Sequence, residues 1–292
     1  MTQQTKANLY ALLAILCWST VATAFKIALI GMDFFHLLLI SSGTALILLS
    51  SLLFFKKKLA KSIRVSKKYY LSSAILGLLN PFLYYLVLLK VYEILPAQFA
   101  LSLNYIWPIS LVLLSIPLLK QKISIKSFLC IFISFCGVIV IANKASFASI
   151  ETPDPFGVLL AIGSSIFWAL YWIFNVRDNR EEVAKLFLNF IFGFFYIAIT
   201  IALFSEFTIP ETKPLIAGIY IGIVECGISY VLWLKAMKLT SSTDKISHFV
   251  FLSPFVSLLF IHLILGESIY LSTLVGLILI ISGIGLQKLV QK

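Results

Sequence analysis

FFHLLLISSGTALILLSSLLFF, Phe34 to Phe55, contains no Lys, Arg, Asp or Glu and runs directly into Lys56-Lys57-Lys58. At about 1.5 Å per residue, an uncharged run of this length crosses a hydrocarbon core of ~30 Å as an α-helix. The lysines that stop it mark a membrane face. Nine further runs of the same kind lie near Asn8–Leu29, Tyr69–Val91, Ala97–Leu119, Ser124–Ala142, Phe156–Asn175, Val183–Phe204, Lys213–Lys235, Thr243–Leu265 and Tyr270–Leu289. The chain therefore reads as an all-α integral membrane protein with ten transmembrane helices joined by short linkers. Over its 292 residues, 61% are hydrophobic and 12% charged, with a mean hydropathy of +1.04. A soluble domain is about 25% charged, so lipid is the solvent for most of this surface. The first run has Lys6, an apolar core and Ala22-Thr23-Ala24, the marks of a cleavable signal peptide. It continues to Leu29 and completes the repeat described below, so we read it as a retained span.

The net charge is +11. Because the basic residues sit between apolar runs, they read as charges at the membrane surface, not as a nucleic-acid patch. With both termini placed in the cytoplasm, 19 of the 23 Lys and Arg residues fall on the inner side, seven of them between Lys56 and Lys68. Only Lys26, Lys90, Lys144 and Lys213 fall outside, and this asymmetry sets the expected orientation. Cys17, Cys130, Cys136 and Cys226 all lie within apolar runs and form no metal or disulfide pattern.

The two halves of the chain repeat. Leu12-Leu13-Ala14-Ile15 recurs as Leu159-Leu160-Ala161-Ile162 at an offset of 147. Pro108 and Pro254, Gly137 and Gly283, and Ile123 and Ile269 are each separated by 146. We therefore expect five-helix repeats over 1–146 and 147–292. An odd number of spans per repeat places the halves in opposite orientations. The charges agree: Lys120, Lys122 and Lys126 lie between spans four and five, but only Glu267 lies at the equivalent place between nine and ten. Inverted repeats are a transporter architecture whose substrate binds near the midplane, where helices are interrupted. Four interruptions stand at matched positions, Pro81 with Gly227 and Pro108 with Pro254. Proline frees the carbonyl one turn earlier, and in lipid such a group must line a cavity or pack on protein.

Glu225 is a carboxylate near the middle of a span, where a charge costs about 2.5–3.5 kcal/mol on insertion scales. Two roles are open to it, a proton-coupling or amine-binding group facing the bundle interior, or a structural hydrogen bond to a neighbouring helix. Asn80 with Tyr84, and Asn104 with Trp107, have spacings that place each pair on one helical face. Trp168, Tyr171, Trp172 and Asn175 form an aromatic stripe, and Ser229 lies one turn beyond Glu225. These side chains read either as a substrate site or as interfacial aromatics and packing. His248 and His262 are too far apart to share a metal, and Glu267 reads as a turn residue. No ATP-binding loop, metalloprotease motif or nucleophile elbow is present. This argues against an ATP-driven pump and the common membrane hydrolases, and no metal or organic cofactor is implied. A lipid-modifying enzyme needs a polar cluster near one interface, whereas these polar residues lie at mid-depth. The scarcity of charge rings disfavours a channel.

Ten spans in two halves, with Phe251-Leu252-Ser253-Pro254-Phe255 followed by Leu265-Gly266-Glu267, resemble the EamA-type permeases of the drug/metabolite transporter superfamily. Trp18-Ser19-Thr20 and Asn104-Tyr105-Ile106-Trp107-Pro108 resemble the YddG-like aromatic amino-acid exporters of bacterial inner membranes. The resemblance implies a secondary transporter that exports aromatic or other neutral amino acids through a central cavity between the halves, with Trp18 added to the candidate site. A drug or cation exporter and a cofactor- or nucleotide-type carrier are the alternatives within transport. The expected partners are a small-molecule substrate and membrane lipids, with a monomer or weak homo-oligomer sufficient.

Overall fold

The computed structural model describes residues 2–119, 125–142, 154–176, 178–205, 210–239 and 252–290, and every regular element among them is helical. The N-terminal part contains α1 (Gln3–Leu29), α2 (Phe34–Phe55) and the short α3 (Leu59–Ile63). It continues with α4 (Lys67–Gly77), α5 (Tyr84–Ile94), α6 (Ala97–Asn104), α7 (Trp107–Leu119) and α8 (Ile125–Ala142). The C-terminal part contains α9 (Pro155–Val176), α10 (Glu182–Phe204), α11 (Thr212–Ile223), α12 (Tyr230–Leu239), α13 (Ser253–Phe260) and α14 (Leu271–Val290). Leu78–Leu83, a π segment broken by a kink at Asn80, joins α4 to α5, and a continuous π-helical segment, Val224–Ser229, joins α11 to α12.

Among the described residues, six helices are long and apolar enough to cross a membrane: Gln3–Leu29, Phe34–Phe55, Lys67–Ile94, Pro155–Asn175, Glu182–Phe204 and Thr212–Trp233. Ser253–Leu265 and Leu271–Leu286 are shorter apolar helices. Phe55, Leu203 and Leu271 are 80%, 70% and 75% exposed on the outside of the bundle. Side chains of this kind are stable at such positions only when lipid surrounds them. The helix starts follow local chemistry. Asp33 caps α2 by accepting from the backbone N–H groups of Phe35 (2.8 Å) and His36 (3.0 Å). Glu181 caps α10 through the Ala184 N–H at 3.0 Å.

Two sequence expectations need correction. The run Ala97–Leu119 is not one helix, because the chain turns at Tyr105 and Ile106 and Pro108 is the second residue of the new helix α7. The spacing that would put Asn104 and Trp107 on one face therefore does not apply. The same holds for Asn80 and Tyr84. Asn80 leaves helical geometry (φ −153°, ψ 121°), so four-residue spacing across it carries no face. Of the run Thr243–Leu265, residues up to 251, including His248, lie outside the described residues, and α13 begins at Ser253 with Pro254 in its first turn.

The packing between the two parts is reciprocal. Helix α1 lies against α11, α12 and α13, while α9 lies against α4, α5, α6 and α7. Helix α2 packs on α10 and α11, and α10 packs on α2 and α4. The π segments Leu78–Leu83 and Val224–Ser229 are themselves 146 residues apart. At residue level, a Cβ on Gly137 in α8 would overlap the Gly276 carbonyl of α14, and one on Gly283 in α14 would lie 2.5 Å from the Cys130 carbonyl of α8. Gly137 and Gly283 are 146 apart, as are Cys130 and Gly276, so each helix offers its glycine to the other. Small residues let membrane helices approach this closely, where dispersion replaces the missing hydrophobic drive.

Candidate functional site

The two π segments bring their interruptions together at mid-depth. At Val224–Ser229 the π turn inserts an extra residue and shifts the helical face, a device common at functional sites, and at Leu78–Leu83 the extended backbone of Asn80 shifts it. From Val224–Ser229, Glu225 points inward and accepts a hydrogen bond from Tyr85 Oη at 2.8 Å. Glu225 forms no ion pair among the described residues. From Leu78–Leu83, Asn80 Nδ2 donates to Tyr230 Oη at 3.1 Å. Each bond runs between the N-terminal and C-terminal parts. A third such link joins Tyr84 Oη to Asn104 Oδ1 (3.3 Å) and Asn104 Nδ2 to Ser164 Oγ (3.3 Å). Ser229 is buried and turns its hydroxyl back to the Val224 carbonyl, satisfying one group that the π turn frees.

Aromatic rings enclose these polar groups. Trp168 stands 4.6 Å from Tyr84, 6.2 Å from Tyr230 and 5.7 Å from Trp172, between ring centroids. Trp18 meets Tyr230 edge-on at 6.4 Å and Trp233 at 5.6 Å. Trp18, Trp172 and Trp233 remain partly exposed, whereas Tyr84, Tyr85, Trp168 and Tyr230 are buried. The stripe expected on α9 thus exists, with Trp168 at its centre. Of the expected residues, Trp18, Asn80, Tyr84, Asn104, Trp168, Trp172, Glu225 and Ser229 gather here. Tyr171 and Asn175 lie further along α9, and Trp107 contributes to packing outside this ring set. Tyr85, Tyr230, Ser164 and Trp233 were not legible in the sequence. Tyr230 follows Glu225 by five residues, a spacing that shares a side only where the helix is wound as π.

Both ends of the bundle are tied across the two parts. At one end the Glu267 carboxylate caps α6, accepting from the Ala97 N–H (3.0 Å) and the Gln98 N–H (3.3 Å). Gln98 Nε2 donates to the Ser268 carbonyl at 2.8 Å, and Thr273 Oγ1 donates to Gln98 Oε1 at 3.1 Å. At the other end Arg180 pairs with Asp178, donates to Ser73 Oγ at 2.7 Å and covers the Tyr69 ring at 5.0 Å. Lys185 Nζ donates to the carbonyls of Asn175 (3.3 Å) and Asp178 (3.1 Å).

Burial pushes the Asp178 carboxyl up, but hydrogen bonds and charge from Arg180 outweigh it and hold the group below its ordinary 3.8. A depressed folded pKa stabilises the protein above the unfolded value and loses that contribution as pH falls through the folded one. Asp178→Asn is therefore expected to lower the melting temperature in detergent at neutral pH, by breaking a buried pair worth about 3 kcal/mol to disrupt. The gap to the wild type should stay constant down to pH 3.8 and close below it. A gap that persists in stronger acid, or no gap at neutral pH, would count against this pair.

The comparisons with known proteins agree with this architecture. The chain is 27% identical to an uncharacterized transporter of Archaeoglobus fulgidus over 289 residues, covering 96% of each chain. It is 27% identical to an uncharacterized transporter of Clostridium kluyveri over 175 residues, or 57% of this chain and 55% of that relative. A solved crystal structure superposes with a TM-score of 0.67 at 21% identity, covering 98% of this chain and 97% of the other, a likeness of fold. The sequence profile of the EamA-like transporter family matches twice, over residues 5–143 and 155–287. Two matches of this extent account for nearly the whole sequence and for its two-repeat build, and the chain belongs to the EamA-like transporter family.

Proposed function

We propose that this transporter exports amino acids, aromatic or other neutral ones, by alternating access through a central site between the repeats. The observation that carries the reading is the Tyr85–Glu225 bond, 2.8 Å long and buried where the two π segments meet. A carboxylate there binds an ammonium group, and the rings of Trp18, Trp168, Trp172, Tyr84 and Tyr230 supply faces for an aromatic or apolar side chain. Asn80, Asn104 and Ser229, beside the breaks at Pro81, Pro108, Gly227 and Pro254, complete the polar lining. The ten spans form two inverted five-helix repeats, 1–146 and 147–292, and the reciprocal packing supports that arrangement. The protein sits in the bacterial inner membrane with both termini in the cytoplasm. One chain holds a complete site, so a monomer suffices.

A second reading, export of organic cations, is favoured by the absence of any ion-pair partner for Glu225 among the described residues. Among the described residues, no cation stands there to oppose a substrate carboxylate. Counterflow in proteoliposomes decides between the two. Labelled phenylalanine should accumulate in vesicles preloaded with unlabelled phenylalanine, tyrosine or tryptophan. Stimulation by phenylethylamine alone would replace amino acids with amines, and stimulation by neither would remove the preferred substrate.

A further inference from the structure

Between Glu225 and the Arg180 end of the bundle lies a set of polar atoms that the protein itself does not satisfy. Asn80 Oδ1, the Tyr171 hydroxyl, both Asn189 side-chain atoms and Arg180 Nη1 are buried with no hydrogen-bond partner among the described residues. Asn80 and Tyr171 are 1% exposed and Asn189 is fully buried. Each orphan costs about 1–3 kcal/mol, more than chance placement would tolerate in one region. Hydroxyls such as Thr23 and Ser102 are also unpaired, but a helical hydroxyl readily turns onto its own helix carbonyl. An asparagine amide at this depth has no such recourse.

The orphans are ordered along the bundle. Gly193 of α10 lies against Pro81, where an added Cβ would sit 2.5 Å from the ring, and Gly77 lies against the Asn189 carbonyl. Asn189 is thus level with the turn before Asn80, on the Arg180 side of it. The Tyr171 hydroxyl faces the Asn175 and Asn189 amides but meets neither in hydrogen-bond geometry, and its ring is 6.2 Å from Trp168, which is equally 6.2 Å from Tyr230. Tyr230 in turn holds Asn80. Lys185, Asp178 and Arg180 close the series at the end of the bundle.

Asn189 presents both an unpaired donor and an unpaired acceptor, which narrows what satisfies it. A bound cation would serve Oδ1 and leave Nδ2 bare. Water donates and accepts, and buried water normally makes two to four such bonds. We infer that a file of bound water joins Glu225 to the Arg180 end of the bundle past Asn80, Tyr171 and Asn189, and that protons reach Glu225 along it. The second half of this inference rests on the reading of Glu225 as the group that titrates during transport.

Hydroxyl-radical footprinting of the full-length protein in nanodiscs, in ¹⁸O-labelled water, tests the file directly. Tyr171 should take up ¹⁸O severalfold faster than Tyr92, which is equally shielded from bulk solvent at 3% exposure. Asn189→Leu should bring Tyr171 down to the Tyr92 rate and slow pH-gradient-driven transport while exchange continues. Tyr171→Phe, which removes only the hydroxyl, should slow the same proton-driven step if Asn189→Leu does not fold. Tyr171 labelled no faster than Tyr92 would overturn the file. Normal proton-driven rates in both variants would overturn the path. Glu225→Gln separates the two ideas. It should leave the labelling of Tyr171 intact, so loss of the coupling reading would be visible with the water file still in place.

Discussion

Glu225→Gln is expected to reduce pH-gradient-driven transport at least about tenfold, the equivalent of ~1.4 kcal/mol, and to reduce substrate exchange by less, because Gln keeps an acceptor for the substrate ammonium but not the charge. Gln keeps an oxygen for the Tyr85 hydroxyl, so the 2.8 Å link between the repeats can persist. What disappears is the ability to take up and release a proton. Alternating access changes the hydration of a midplane carboxyl, and hydration favours its charged form. A group held by a single neutral donor, and in no ion pair among the described residues, is free to respond to that change. Uptake driven by an imposed pH gradient, measured in proteoliposomes beside exchange at equal pH, separates coupling from binding. Equal rates for the two proteins would make Glu225 a packing or specificity residue. An equal loss in both assays would leave Glu225 a substrate-binding group with no coupling role.

Gly283→Leu is expected to abolish accumulation of folded protein, whereas Gly285→Ala should be silent. At Gly283 an added Cβ already collides with Ser134 Oγ and lies 2.5 Å from the Cys130 carbonyl and 2.9 Å from the Ser134 amide nitrogen. Two of those atoms are backbone, so relief requires α8 and α14 to separate. Separation would also break the 3.0 Å bond from Ser134 Oγ to the Ile280 carbonyl. Overpacking in a well-filled core costs about 1–3 kcal/mol even where side chains yield, and here backbone must yield over the length of two helices. At Gly285, two residues on and on the opposite face of the helix, nothing lies within 4 Å of an added Cβ. Fluorescence-detected size exclusion of membrane extracts gives the comparison directly. A monodisperse Gly283→Leu protein at wild-type level would show that the α8–α14 contact does not hold the repeats together.

Much of the architecture was legible in the residues because membrane insertion reads local properties. The charge-free length of Phe34–Phe55, the lysines after it and the 146-residue offset linking Gly137 to Gly283 all survive into the structure as helices and contacts. Pro81 and Gly227 lie within the segments Leu78–Leu83 and Val224–Ser229. Glu225 could be singled out from its cost in lipid alone.

Its partner could not. Tyr85 and Glu225 are 140 residues apart, and Asn80 and Tyr230 are 150 apart. Nothing local distinguishes Tyr85 from the eleven other tyrosines. The face rules also failed at Asn80 and Asn104, because four-residue spacing holds only along an unbroken α-helix and both residues sit at breaks. Sequence thus determined the all-helical membrane class and the two-repeat build. Only the tertiary structure decided which side chains meet, because a break rotates the helix beyond it by an amount that packing against the other repeat sets.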